Sequence, residues 1–227
     1  MIIKVCGMRD ADNIRQVEQL RPDWLGFIFW PRSSRYVAAP PAYLPTHCRR
    51  VGVFVDADPA DVRQHVADYR LDAIQLHGHE SPEYVKSLHG LTKIIKAISV
   101  STRDDIATSA AYDGLVDYLL FDTKATTPAA STTPAASPAG TSTPAASPVG
   151  SYLPGGSGQH FDWTVLADYA GATPFLLSGG IGPDDADRVR AFRHPRCVGI
   201  DLNSRFEQAP GLKDIQKLQE FIKTIRQ

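Results

Sequence analysis

Short apolar runs bounded by turn residues recur along the chain at 2–6, 24–28, 51–55, 72–76, 93–98, 116–121, 174–177 and 197–201. Between them lie stretches whose apolar residues repeat every three or four positions. Ala11, Ile14, Val17 and Leu20 follow a plausible cap at Asp10. Val62, Val66 and Tyr69 follow Pro59. Leu212, Ile215, Leu218, Ile222 and Ile225 close the chain. Alternating periods of this kind predict strands joined by helices. The strand-like runs carry few charges, as burial on both faces demands. About eight such units match a closed parallel (β/α)8 barrel, the TIM barrel of the α/β class. A doubly wound open sheet is the structural competitor. The stretch near 40–47 makes a poor helix, so one connection is expected to be irregular.

One segment breaks the pattern. Residues 125–153 are nearly all Ala, Thr, Ser, Pro and Gly, with Thr-Pro-Ala-Ala-Ser repeated at 127–131, 133–137 and 143–147. Side chains this small bury too little apolar area to offset the entropy of ordering, and proline bars regular helix or sheet. A disordered low-complexity insertion in the loop after strand 6 is expected, inside a single barrel domain spanning 1–227. Strand-like and helix-like units resume after it, and a barrel needs them all. Loop closure costs only about 0.6 kcal/mol per doubling of length, so the barrel tolerates the extra chain.

The charges nearly cancel, with Lys+Arg 24 against Asp+Glu 25. That balance gives no general drive toward nucleic acid or an anionic membrane. No apolar stretch approaches the roughly 20 residues of a membrane span, and the first residues lack the apolar core of a signal peptide. Cys6, Cys48 and Cys197 are an odd set without close spacing, which argues against a disulfide framework or a zinc site. Reduced thiols in the cytoplasm are expected. Oligomeric state is left open by the sequence.

The candidate chemistry gathers at strand ends. Cys6 follows the first run and Asp122 the sixth. In one barrel both open onto the face that carries catalysis, where a thiol and a carboxyl suit proton transfer in two directions. Taken alone, Cys6 reads equally as a small buried hydrophobe and Asp122 as a cap. Lys4 shares a face with Cys6; inside a barrel it needs a partner, and it would favour the thiolate. Ser178-Gly179-Gly180 follows the seventh run and opens a helix, and Asp201-Leu202-Asn203-Ser204-Arg205 follows the eighth. Glycine amides and a helix start suit an anion, and loops after strands 7 and 8 are the frequent phosphate site of such barrels. Gly155-Gly156-Ser157-Gly158 forms a third glycine cluster. Each cluster alone reads equally as a tight turn. Arg35 lies in an aromatic, basic loop after the second run, where its planar fork would suit a carboxylate; the bland reading is a solvated basic loop. Gln75 and His77 end the fourth run at the same rim, where a turn with a satisfied histidine is the simpler account.

Together these residues resemble the phosphoribosylanthranilate isomerase family of tryptophan biosynthesis. The matching pieces are Lys4-Val5-Cys6-Gly7-Met8, Ser34-Arg35-Tyr36, Val51-Gly52-Val53-Phe54-Val55, Gln75-Leu76-His77-Gly78, Phe121-Asp122-Thr123, Gly155-Gly156-Ser157-Gly158, Phe161-Asp162-Trp163 and Leu177-Ser178-Gly179-Gly180. They occur in the family's order and span the chain except for the insertion. The resemblance implies a (β/α)8 barrel that performs an Amadori rearrangement of N-(5-phosphoribosyl)anthranilate without a cofactor or metal. It implies Asp122 as general acid, Cys6 as general base and Arg35 as the grip on the anthranilate carboxylate. Gln75, His77 and Asp201 are implied as substrate contacts, and Gly156, Gly158, Ser178, Gly179, Gly180, Ser204 and Arg205 as the phosphate site. The implied partner is a small phosphosugar substrate. Asn203-Ser204-Arg205 departs from a serine-serine-glycine turn found in many relatives.

Three competing functions remain on the sequence alone. Another phosphosugar barrel enzyme is one, although the related histidine-pathway isomerase has a carboxylate where Cys6 stands. A silent phosphometabolite-binding protein would not need Cys6 together with Asp122. A scaffold built on the repeat tract would lack basic or aromatic anchors. Deletion of residues 126–151 is expected to preserve or improve activity, measured on the purified barrel. Complete loss of activity with normal folding would show that the tract participates.

Overall fold

A computed structural model of the chain describes residues 1–123 and 163–227. The tract at 125–153 lies outside these residues, as do Gly155, Gly156, Ser157, Gly158, Phe161 and Asp162. Eight parallel strands form a closed barrel in sequence order: β1 (Ile2–Val5), β2 (Trp24–Ile28), β3 (Arg49–Phe54), β4 (Ala73–Leu76), β5 (Lys93–Val100), β6 (Tyr118–Thr123), β7 (Phe175–Leu177) and β8 (Cys197–Leu202). Each coincides with one of the eight apolar runs. The competing open sheet is thereby excluded, because β8 pairs with β1.

The helices are α1 (Ala11–Gln19), α2 (Pro59–Tyr69), α3 (Pro82–Ser87), α4 (Arg103–Ala107), α5 (Ala186–Ala191) and α6 (Ile215–Ile225). Local chemistry sets their starts. The Asp10 carboxylate accepts from the Asn13 amide, and Asp58 accepts from Ala60 ahead of α2, which opens on Pro59. Such caps satisfy amides that have no partner within the helix. The connection between β2 and β3 contains no helix, as the composition of 40–47 predicts. β6 starts two residues later than its apolar run, because Asp117 is drawn into a bond with the Ile94 amide at 2.8 Å.

Strand alternation separates two cores. Trp24, Val51, Ala73, Ile95, Ala97, Leu120 and Leu176 fill the barrel interior. Leu119, Phe121 and Phe175 face outward and pack with Tyr169 beneath the helices; Phe121 meets Phe175 with ring centroids 5.0 Å apart. The interior is therefore apolar low in the barrel. Toward the C-terminal ends of the strands, the same inward rows reach Cys6, Gln75, His77, Asp122 and Asp201.

One buried ion pair braces this rim from outside the barrel. Lys96 belongs to the outward row of β5 and is 2% exposed. Its Nζ donates to Glu80 Oε2 at 2.9 Å and to the Gly78 carbonyl at 2.7 Å. Glu80 in turn accepts from the Asp56 and Gly78 amides, so it pins the loops after β3 and β4 together. Removing one member of such a pair strands a buried charge, which typically costs about 3–5 kcal/mol. Glu80→Ala is expected to lose stability on that scale in urea titration. A loss below about 1 kcal/mol, the scale of a surface pair, would show that this bond is not structural.

Candidate active site

The thiol sits where β1 meets its first loop. The Cys6 amide donates to the Leu202 carbonyl at 2.8 Å, which extends the β1–β8 ladder by one step. Gly26 in β2 leaves space for the sulfur, since a Cβ there would lie 2.8 Å from Cys6 Sγ. Gly7 follows with φ of +78°, a conformation that glycine adopts without strain.

Behind the thiol, Lys4 is fully buried and donates to Asp201 Oδ1 at 2.9 Å. The two are direct neighbours in the β1–β8 register. The partner that a barrel lysine requires is thus supplied by the last strand. Burial alone would pull the Lys4 pKa down, but Asp201 and then Cys6 more than restore it, so the ammonium stays charged. Burial pushes the Cys6 thiol above its ordinary value, and Lys4 opposes that shift without cancelling it. Lys4 does favour the thiolate, as its position suggests; desolvation is the larger effect.

Asp122 lies across the mouth on β6, beside Ser99 of β5 in the register, and is 6% exposed. His77 Nε2 stands 3.3 Å from Asp122 Oδ2. The other ring nitrogen, Nδ1, is 2.8 Å from Gln75 Nε2. With the amide nitrogen donating, Nδ1 accepts, and the ring proton sits on Nε2 facing the carboxyl. Gln75 Oε1 and His77 Nε2 are buried without a hydrogen bond among the described residues. Gln75 Oε1, a buried acceptor on the cavity wall, is suited to a ligand hydroxyl.

The third side of the mouth belongs to the loops after β7 and β8. Ser178 is 7% exposed, and its amide bonds to the Phe121 carbonyl at 2.9 Å. Gly179 and Gly180 take φ of 84° and 68°, which turns the chain across the rim. A short 3-10 turn at Pro183–Asp185 follows, and its Asp185 carboxylate accepts from the Gly182 amide at 2.7 Å. Arg205 packs onto this loop: a Cβ at Gly182 would lie 3.1 Å from its Nε. The two loops therefore form one continuous surface.

Cys6, Arg35, Gln75, His77, Asp122, Ser178, Gly179, Gly180, Asp201, Ser204 and Arg205 all line a single cavity at this mouth. Gly156 and Gly158 lie outside the described residues. Two charged residues at the edge of this site, Glu207 and Lys213, carry no signal in the sequence pattern. Arg35 Nη2 donates to Glu207 Oε2 at 2.6 Å, and Lys213 Nζ donates to Glu207 Oε1 at 2.7 Å. Both belong to a two-stranded ribbon, β9 (Glu207–Ala209) and β10 (Leu212–Lys213). Its apolar content is too low to mark it as strand, and Lys213 falls in the periodic run that predicts the last helix. The Asp214 cap, bonded to the Lys217 amide, starts that helix only at Ile215.

A sequence model described as N-(5'phosphoribosyl)anthranilate (PRA) isomerase matches residues 3–224. An N-(5'-phosphoribosyl)anthranilate isomerase of Parabacteroides distasonis is 45% identical over 235 residues, covering 99% of this chain and 93% of the relative. The crystal structure of phosphoribosyl anthranilate isomerase from Thermotoga maritima superposes with a TM-score of 0.75 at 28% identity, covering 100% of this chain and 99% of that one. A phosphoribosyl anthranilate isomerase in complex with reduced 1-(o-carboxyphenylamino)-1-deoxyribulose 5-phosphate gives a TM-score of 0.74 at 25% identity, with coverage of 100% and 99%. Motif order, barrel and mouth agree with a match over nearly the whole length, and the chain belongs to the N-(5'-phosphoribosyl)anthranilate isomerase family.

Proposed function

We propose that Cys6 and Asp122 divide the proton transfers by which this isomerase converts N-(5-phosphoribosyl)anthranilate to 1-(2-carboxyphenylamino)-1-deoxyribulose 5-phosphate in tryptophan biosynthesis. The observation that carries this assignment is their placement on one cavity, Cys6 beside the Lys4 ammonium and Asp122 with His77 Nε2 at 3.3 Å.

The reaction needs two catalysts of these kinds. Asp122 delivers a proton to the ribose ring oxygen as the C1–O bond breaks. The lone pair of the anthranilate nitrogen forms the C1=N bond, which gives a cationic Schiff base. That cation acidifies the C2 hydrogen. The Cys6 thiolate removes it, and the electron pair moves into C1=C2 to give an enolamine. Loss of the C2 hydroxyl proton and protonation at C1 then yield the ketone. The substrate's own nitrogen serves as the electron sink. His77 Nε2 stands 3.3 Å from Asp122 Oδ2 at the same wall, and a sugar hydroxyl donating to Gln75 Oε1 would satisfy that buried acceptor. Asp201 acts at the same wall, where it holds Lys4 against the thiol.

Recognition falls to the two ends of the substrate. Ser178, Gly179, Gly180, Ser204 and Arg205, with Gly156 and Gly158, take the phosphate; the joined loops after β7 and β8 and the cationic Arg205 support this reading. Arg35 takes the anthranilate carboxylate. A relative solved with a carboxyphenylamino sugar phosphate supports a ligand with both anionic ends. Three free cysteines support a reducing compartment, the cytoplasm. Among the described residues, no helix is long and apolar enough to cross a membrane.

Proton-transfer catalysts typically contribute about 10²–10⁴-fold. Cys6→Ala and Asp122→Asn are each expected to lower turnover of freshly made phosphoribosylanthranilate by that much with the fold intact. The assay follows the loss of anthranilate-type fluorescence, and near-full activity in either variant removes that residue from its role.

A second expectation concerns pH. The pKa of the Cys6 thiol is raised, so its thiolate fraction grows as pH climbs toward and past the ordinary thiol range of about 8.5. The part of kcat/KM that depends on this base rises in the same direction. Lys4→Met removes the cation that favours the thiolate, and the limb is expected to move to still higher pH. Alkylation of Cys6 against pH, read by mass spectrometry, checks this. Cys48 serves as an internal reference, since burial pushes its pKa up to about 12. An unchanged Cys6 profile in Lys4→Met would refute the coupling.

A further inference from the structure

The proposed proton transfers give Glu207 no task, yet its side chain is 5% exposed at the edge of the mouth and bonded both to Arg35 and to the buried Lys213, whose charge also bears on the Cys6 thiol. A guanidinium offers two faces to an anion: a side edge made by Nε and Nη2, and a distal edge made by Nη1 and Nη2. Glu207 occupies the side edge. Arg35 Nε donates to Oε1 at 2.9 Å and to Oε2 at 3.0 Å, and Nη2 donates to Oε2 at 2.6 Å. That edge is closed to any other carboxylate. Among the described residues the distal edge is the one left to a ligand, and Arg35 lines the cavity.

Glu207 is itself held from several sides. Lys213 Nζ donates to its Oε1 at 2.7 Å, and the Gly211 amide donates to the same oxygen at 3.1 Å. The remaining Lys213 bonds go to Asn203, at 2.8 Å to Oδ1 and 3.4 Å to the backbone carbonyl. The ammonium thus spends its hydrogens within the protein and offers none to a ligand. Burial alone would raise the Glu207 pKa, but the bonds from Arg35 and the Lys213 cation reverse this, and the carboxylate stays ionised.

The backbone around this cluster is equally fixed. Asn13 of α1 exchanges two bonds with the Lys213 backbone, at 2.8 and 2.9 Å. Arg9 bridges the Ser34 carbonyl at 3.1 Å and the Pro210 carbonyl at 3.0 Å. It therefore ties the loop bearing Arg35 to the ribbon bearing Glu207. At Gly7 a Cβ would come within 2.7 Å of Arg35 Cδ and 2.8 Å of Asn203 Oδ1, so the residue after the thiol must be small for the arginine to lie there.

We propose that Glu207, locked by Lys213, is a positioning residue that sets Arg35 to receive the substrate's aromatic carboxylate end-on through its distal edge. A freely rotating arginine would lose rotamer entropy on binding; one already forked to a fixed carboxylate loses little. The inference rests on the reading that Arg35 grips that carboxylate.

The test pairs a change in the protein with a change in the ligand. Two probes are used by calorimetry: reduced 1-(o-carboxyphenylamino)-1-deoxyribulose 5-phosphate, and the same compound without the ring carboxylate. Glu207→Gln is expected to weaken the carboxylated probe by about tenfold or more, the scale of a lost charge-assisted bond, and to leave the decarboxy probe nearly unchanged. In turnover, KM rises while kcat holds. Glu207→Asp keeps the charge but sits one methylene too far back to reach both nitrogens, and it is expected to show the same selectivity to a smaller degree if the glutamine variant does not fold. Arg35→Lys separates the two layers of the argument. If it is selective for the carboxylated probe and neither Glu207 variant is, the positioning role is overturned and the reading of Arg35 stands. If Arg35→Lys weakens both probes equally, the reading of Arg35 itself fails, and the proposal with it. Equal weakening of both probes by the Glu207 variants would mean a merely structural role.

Discussion

Hydrogen bonding of β8 to β1 is the constraint on which the remaining structure depends. It joins Ile2 to Gly199 and Val5 to Leu202, at opposite ends of the chain. The join is sterically tight: a Cβ at Gly199 would lie 2.5 Å from the Ile2 carbonyl oxygen. Once it forms, every strand end opens onto the same rim, and alternate residues of each strand point into one interior. Lys4 then lies beside Asp201, and Cys6 takes the next step of the ladder. An open sheet with the same strands would leave both charges facing solvent or protein at separate edges, with no shared cavity between Cys6 and Asp122.

Closure has an electrostatic consequence. A barrel mouth that handles an anionic sugar must hold cations, and buried cations need partners. The protein meets this with pairs rather than isolated charges. Lys4 is matched by Asp201, Lys213 and Arg35 share Glu207, and on the outer face Lys96 is matched by Glu80. Each pair also performs a mechanical task. Lys4 with Asp201 stitches the first strand to the last, Glu207 fastens the final ribbon to the loop after β2, and Glu80 joins the loops after β3 and β4. The chemistry therefore stands on a rim whose fixed points are themselves ionic. Desolvation sets a limit to what these charges achieve: with Lys4 at hand, the Cys6 thiol is still pushed upward.

Much of this was legible in the sequence because strands and caps are local. Apolar runs ending in Cys6, His77, Asp122 and Ser178 announce both the strand and the side chain at its mouth. Asp10 and Pro59 mark helix starts by their own chemistry, whereas the periodic run from Leu212 hid the cap at Asp214. The need of Lys4 for a partner was also readable, but not which partner, since Asp201 is 197 residues away and only barrel closure brings it near. Glu207 and Lys213 were hidden for a related reason. Their ribbon is too short and polar to carry a strand signal, and what joins it to the site is the bond from Arg35 to Glu207, 172 residues apart. Residue identity showed what could react; only the closed fold shows what is held by what.

This division bears on how binding and chemistry are coupled. Cys6 and Asp122 sit at strand ends, fixed by the ladder hydrogen bonds of the barrel, where a misplacement of a reacting group by about 1 Å can cost about a hundredfold in rate. The groups proposed to bind the anions sit on loops, where positions are set by ion pairs and glycine turns. On the proposed roles, fixing both ends of the substrate with groups already in place would leave the sugar between Cys6 and Asp122 without spending binding energy on ordering the protein. For that arrangement the loops must be as well determined as the strands. The bonds from Arg9 to Ser34 and Pro210, and from Asn13 to Lys213, give the Arg35 end that determination. The contact of Arg205 with Gly182 does the same for the opposite end. Order at the Arg35 side is thus an extension of the barrel: α1 holds Lys213, Lys213 holds Glu207, and Glu207 holds Arg35 at the cavity wall.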